Sequence, residues 1–193
     1  MNTKTKLIIS LALTLLGLLY STGFMILLNN SVNNNNYDFG MALFTVSRFA
    51  PQLIFVLLGG LLLGSVWGVS TAVTILLISF VFTGLGIFSP LSIWLFPTST
   101  FVQHIVTAAC AGFFIKRASS YATIMLVVFC ALVLGYFSYI LVSYITHRDM
   151  LTIPNMLSTW IYIHGFGILM HALLVPAIYL VLRRFLLTDN SPL

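Results

Sequence analysis

Between Gln52 and Pro90 the chain reads QLIFVLLGGLLLGSVWGVSTAVTILLISFVFTGLGIFSP, thirty-nine residues without a charge. A bilayer-crossing helix needs about 20 predominantly apolar residues, so this run is long enough to cross twice. Its one interruption is the glycine-rich, tryptophan-bearing stretch Gly59 to Gly68, with the link itself at Gly64-Ser65-Val66-Trp67-Gly68. Two apolar helices joined by so short a connection are expected to form a tight antiparallel hairpin, with the rest of the chain laid around it.

The rest of the chain has the same character. Sixty per cent of the 193 residues are apolar or aromatic and 6% are charged. No soluble domain of this size can hide so much apolar surface, and continuous rather than alternating apolar runs exclude a membrane β-barrel. Further spans are expected over about residues 7–28, 100–115, 122–145 and 156–182. The expected fold is therefore an all-α integral membrane protein, one domain over 1–193, with six transmembrane helices. The N-terminal run is long for a signal peptide and is followed by Asn29 to Asn36 rather than a small-residue cleavage site, so it reads as the first span.

Basic residues set the orientation. With alternating spans, Lys4, Lys6, Lys116, Arg117, Arg183 and Arg184 fall on one side, and Arg48 and Arg148 on the other. The positive-inside rule then places both termini in the cytoplasm. The excess of positive charge is thus a topology signal, and no nucleic-acid partner is expected.

Much chemistry is excluded. The chain has no glutamate, and its aspartates, Asp38, Asp149 and Asp189, lie in loops or the tail. Intramembrane carboxylates, the usual relays of pumps and secondary transporters, are missing. There is no HExxH zinc motif, no phosphate-binding glycine loop with lysine, and no glycine-flanked serine elbow. Cys110 and Cys130, each inside an apolar run, read as packing residues. His164 and His171 stand two turns apart, about 10.5 Å along a helix, which disfavours a shared metal ion. The chain is expected to be neither an enzyme nor self-energised.

Polar residues inside spans are costly and should face protein or a cavity. Three helical stripes stand out: Thr100, Gln103, His104 and Thr107; Tyr136, Tyr139, Ser143 and Thr146; and Trp160, His164, Gly167 and His171. Taken one at a time, these residues suit interfacial belts or interhelical pairing. Taken together at one depth, they suit a pocket for a small organic molecule. With Arg48 and Trp94 on the same side, the candidate substrate-binding residues are Arg48, Trp94, Gln103, His104, Tyr136, Tyr139, Ser143, Trp160 and His164. In the first span Ser10, Thr14, Gly17 and Ser21 form a small-residue face, suited equally to internal packing or to docking a partner.

On these residues the chain resembles a family, the substrate-binding S-components of energy-coupling factor (ECF) vitamin transporters. The resemblance covers the six-span layout. Locally it rests on LGGLLLGSVWGV from Leu58 to Val69, similar to the family's G-x-x-x-G-P-x-x-G hairpin. Pro97-Thr-Ser-Thr-Phe, the small run Ala108 to Gly112 before Lys116-Arg117, and Ile153-Pro154 also carry it. Ser65 stands where proline is usual, and the first span lacks the usual alanine-x-x-x-alanine pair.

The resemblance implies a multi-pass protein of the bacterial cytoplasmic membrane that binds a vitamin from outside. It would have no cofactor of its own and would deliver its cargo to a transmembrane coupling subunit and two ATPase subunits, which use ATP. Such proteins are thought to topple in the bilayer. Their pocket lies at the outer ends of the fourth to sixth helices under loops, here 29–39, 84–99 and 146–155. A neutral, aromatic, histidine-bearing pocket favours a bulky, largely uncharged corrinoid (cobalamin or cobinamide). A pantothenate- or biotin-type vitamin, or a membrane scaffold without transport, are the alternatives.

Overall fold

The computed structural model describes residues 1–33, 52–84, 97–146 and 153–188. Among them all regular structure is helical: α1 (Thr3–Asn33), α2 (Gln52–Leu63), α3 (Ser65–Gly84), α4 (Pro97–Phe114), α5 (Tyr121–Thr146) and α6 (Ile153–Thr188). A 3₁₀ turn, Ile115–Arg117, extends α4. Four stretches are long and apolar enough to cross a membrane: Thr3–Tyr20, Thr98–Arg117, Tyr121–Thr146 and Gly165–Leu186. Gln52–Leu63 and Ser65–Val81 are apolar but shorter. At 1.5 Å per residue α2 is about 18 Å long, less than the roughly 30 Å of a hydrocarbon core.

Helix starts follow local chemistry. Asn2 Oδ1 accepts from the Thr5 amide (2.8 Å) and so caps α1. Ser120 and Thr123 cap α5 reciprocally: the Ser120 amide donates to Thr123 Oγ1 (3.0 Å), and the Thr123 amide donates to Ser120 Oγ (3.2 Å).

The short α2 is the centre of the bundle. Leu53, Val56 and Leu57 are fully buried and Leu58 and Leu61 nearly so, because α1, α3, α4 and α6 all pack on this one helix. Leu53, Leu57 and Leu58 share a core with Ile124, Val128 and Leu132 of α5 and Ile168 and Val175 of α6. A helix apolar on every side belongs in such a place. The outer surface is also apolar: Ile8 is 65% exposed, Phe137 63%, Phe166 61% and Phe185 69%. That is a surface for lipid rather than water.

The link between α2 and α3 differs from the sequence expectation. Only Gly64 is non-helical, and Ser65 to Gly68 form the first turn of α3. Gly64 has φ +87°, where a residue without Cβ is least strained. The helical hydrogen bonds run up to the break from both sides, Gly64 N–H to Gly60 O and Gly68 N–H to Gly64 O, each 2.9 Å. The expected hairpin is present and antiparallel: Gly60 meets Gly68, and further from the turn Val56 packs with Ala72 and Ile75.

Contact between these backbones is close. A Cβ on Gly68 would lie 2.6 Å from Gly60 Cα, and one on Gly60 would lie 2.5 Å from the Ala108 carbonyl of α4. One on Gly112 would collide with the Ser65 amide nitrogen. Ser65 Oγ donates to the Ala109 carbonyl (3.0 Å), tying the turn to α4. Three glycines thus let α2, α3 and α4 touch main chain to main chain, the packing favoured where lipid removes any hydrophobic drive between helices.

The basic clusters gather at one end. Met1 of the N-terminal segment, Leu62 of α2, Lys116 of the 3₁₀ turn, and Tyr179 and Arg183 of α6 line one open cleft of about 310 Å³.

Candidate functional site

α4 changes character along its length. Its first half presents Ser99, Thr100, Gln103, His104 and Thr107, every one of them buried. Spacings of three and four keep these polar groups on the protein-facing side of the helix. α5 lies antiparallel against that side. Ser143 Oγ donates to Ser99 Oγ (2.8 Å). The Tyr139 hydroxyl, one turn before Ser143 on α5, also bonds the Ser143 side chain. One turn along, the Tyr136 hydroxyl bonds the side chain of Gln103. Gly135 makes this approach possible, since a Cβ there would run into Thr107 Oγ1 and come within 3.0 Å of the Gln103 carbonyl.

Two polar atoms stand outside this ladder. His104 Nδ1 lies 2.8 Å from the Thr100 carbonyl. A carbonyl only accepts, so Nδ1 carries the proton and the neutral ring keeps its lone pair on Nε2. Nε2 is buried and has no hydrogen-bond partner among the described residues; the same holds for Thr107 Oγ1. A buried acceptor without a donor carries an uncompensated desolvation cost of about 1–3 kcal/mol. A ligand donating to Nε2 would remove that cost. No serine hydroxyl occupies that position among the described residues, so His104 is not set up there as a general base for a serine. Among the described residues no three metal-binding side chains cluster, and Cys110 and Cys130 are separate thiols.

The expected site residues fall into three groups. Gln103, His104, Tyr136, Tyr139 and Ser143 come together between α4 and α5. Trp160 and His164 are helical residues of α6, but their side chains lie outside the described residues, as do Arg48 and Trp94 altogether. The described part of the third stripe, Gly167 and His171, is buried, with His171 Nδ1 2.6 Å from the Gly167 carbonyl. α6 packs mainly on α5 and α2. Thr146, the last member of the second stripe, is exposed and turns back to the Val142 carbonyl (2.8 Å).

Two contributors were not singled out from sequence. Ser99 stands four residues before Gln103 and so continues the polar stripe. Gly135, a lone glycine in an apolar span next to Tyr136, marks where α4 comes close.

The small face of α1 is turned inward. Ser10 and Thr14 are buried. Thr71 Oγ1 gives its proton to the Trp67 carbonyl (2.9 Å), so Ser10 Oγ donates to Thr71 Oγ1 (2.7 Å). A Cβ on Gly17 would sit 3.1 Å from Ile75 Cδ1 and 3.5 Å from the Phe55 ring. Ser10, Thr14 and Gly17 therefore pack on the chain's own α2–α3 hairpin, in keeping with the internal-packing reading of this face. The side chain of Ser21 lies outside the described residues.

No protein-family model, curated protein or solved structure matches this chain.

Proposed function

We propose that the chain is a membrane-embedded binding subunit for a small, largely uncharged organic molecule, of the ECF S-component kind, with a corrinoid as the favoured cargo. In this reading six spans cross a bacterial cytoplasmic membrane with both termini inside. A transmembrane coupling subunit and two ATPases supply the energy. One observation carries the reading: a buried polar seam at the start of α4, away from the basic end, holding an acceptor, His104 Nε2, with no donor among the described residues. The hairpin sequence Leu58 to Val69 and the lack of any carboxylate in the expected spans support a protein that binds but does not energise.

Isothermal titration of the purified protein against cobalamin, cobinamide, pantothenate and biotin tests the proposal. Saturable binding of one of them is expected. His104→Ala should weaken it at least tenfold, about 1.4 kcal/mol. Binding of none, or an affinity indifferent to His104→Ala, Tyr139→Ala and His164→Ala together, would sink it.

A scaffold is the second reading. It is favoured by the pairing of Gln103 with Tyr136 and of Ser99 with Ser143, which holds two helices together without a ligand. A protein that binds no vitamin yet co-purifies with a membrane partner would favour it.

A further inference from the structure

The cleft at the basic end lies far from the polar seam and plays no part in the proposed function. It sits where the start of the chain, the C-terminal ends of α2 and α4, and the last turns of α6 converge. Its lining has two halves. Lys116 and Arg183 supply cations, while Leu62, Ile115, Tyr179 and Leu186 supply apolar and aromatic surface. About 310 Å³ corresponds to the volume of roughly ten liquid waters, room for a polar headgroup.

Charge at this end is unbalanced. Lys4, Lys6, Arg117 and Arg184 belong to the same helix ends as the cleft, which makes six cations with Lys116 and Arg183. The chain has three acids, and Asp189 alone follows one of these basic clusters closely in sequence.

The apolar half continues beyond the cleft. α1 and α6 both pack on α2. The lipid-facing surface near this end is apolar, with Leu7, Ile8 and Leu11 exposed on α1 and Ile178 and Val181 exposed on α6.

We infer that this cleft is a binding site for an anionic phospholipid, the phosphodiester held by Lys116 and Arg183 and the start of an acyl chain lying on the apolar lining of Leu62, Ile115, Tyr179 and Leu186. A planar guanidinium suits two phosphate oxygens at once, and the lysine adds a point charge. Basic pockets between spanning helices select acidic headgroups because the cations are partly dehydrated while the tails stay in hydrocarbon. A free phosphate shares the headgroup chemistry but leaves the apolar lining uncovered. An acidic protein segment would use the cations without the tail.

Native mass spectrometry of the full chain, released from detergent with added lipid, separates these occupants. Phosphatidylglycerol is expected to remain bound through activation that strips phosphatidylcholine of the same chain length. Glycerol phosphate and inorganic phosphate should not displace it. Lys116→Gln with Arg183→Gln should reduce phosphatidylglycerol retention roughly tenfold or more, while Arg148→Gln leaves it unchanged. The wild-type lipid comparison stands even if the double variant folds poorly. Equal retention of the two lipids would overturn the proposal, whether the cleft then serves a protein or nothing. So would displacement by inorganic phosphate, or an equal loss in Arg148→Gln.

Discussion

The two halves of α4 are joined to the bundle in opposite ways. Its second half, from Ala108 to Gly112, meets α2 and the start of α3 backbone to backbone, through glycines that leave no room for a Cβ. Its first half meets α5 through side chains, in a ladder of hydroxyl and amide bonds running from Ser99 to Gln103. The first kind of joint depends on van der Waals contact and tolerates no added atom. The second depends on hydrogen bonds whose net worth between spanning helices averages about 0.6 kcal/mol each. One helix thus carries a seam that is sterically strict and another that is chemically specific but individually weak.

Substitutions can break that contrast. Gly112→Val should have the largest effect, since its side chain would be driven into the Ser65 backbone, which cannot swing aside. A loss of roughly 3 kcal/mol or more is expected, read as a collapse of the thermal transition in detergent. Gly135→Ala should cost less, about 1–3 kcal/mol, because the first obstacle is the movable end of a side chain, Thr107 Oγ1. Adding Thr107→Ala should recover part of that loss; no recovery would show that the Gln103 carbonyl, not the hydroxyl, sets the spacing. Ser143→Ala should cost the least, about 0.5–1 kcal/mol. A double-mutant cycle with Ser99→Ala should give a coupling of the same small size, and a coupling near zero would remove that rung from the ladder.

These differences also explain what could be read in advance. The hairpin over Gln52–Gly84 was legible because an uncharged run with a glycine break has few other solutions. Its turn was read too long. Ser65 to Gly68 look like a flexible link by the propensities of water-soluble helices, where glycine is poor. In a lipid-facing bundle the same small residues stay helical and provide close contact. The basic end was legible from lysine and arginine alone.

The face of α1 with Ser10, Thr14 and Gly17 was legible as a contact but not as a contact with what. Small residues look the same whether they meet their own chain or another. The polar seam was half legible for a related reason. Helical spacing places Gln103 and His104 on one side of α4, and Tyr136, Tyr139 and Ser143 along α5, but it does not say which neighbour each side faces. The described part of the α6 stripe, Gly167 and His171, shows the cost of that gap. Its period is as good as the other two, yet α6 packs mainly on α5 and α2, and His171 turns to the Gly167 carbonyl of its own helix.

Gly64 has a mechanical consequence. A turn of one residue gives α3 no slack to slide or tilt against α2, and the glycine contacts with Gly112 fasten α4 to the same block. By contrast, α5 follows α4 through Ala118 to Ser120, with extended backbone at Ala118 and exposed serines after it. The three-helix block is therefore the stiff part of the molecule. Among the described helices, an opening at His104 that left this block intact would part α5 from α4, rung by rung, against bonds weak enough to break and re-form.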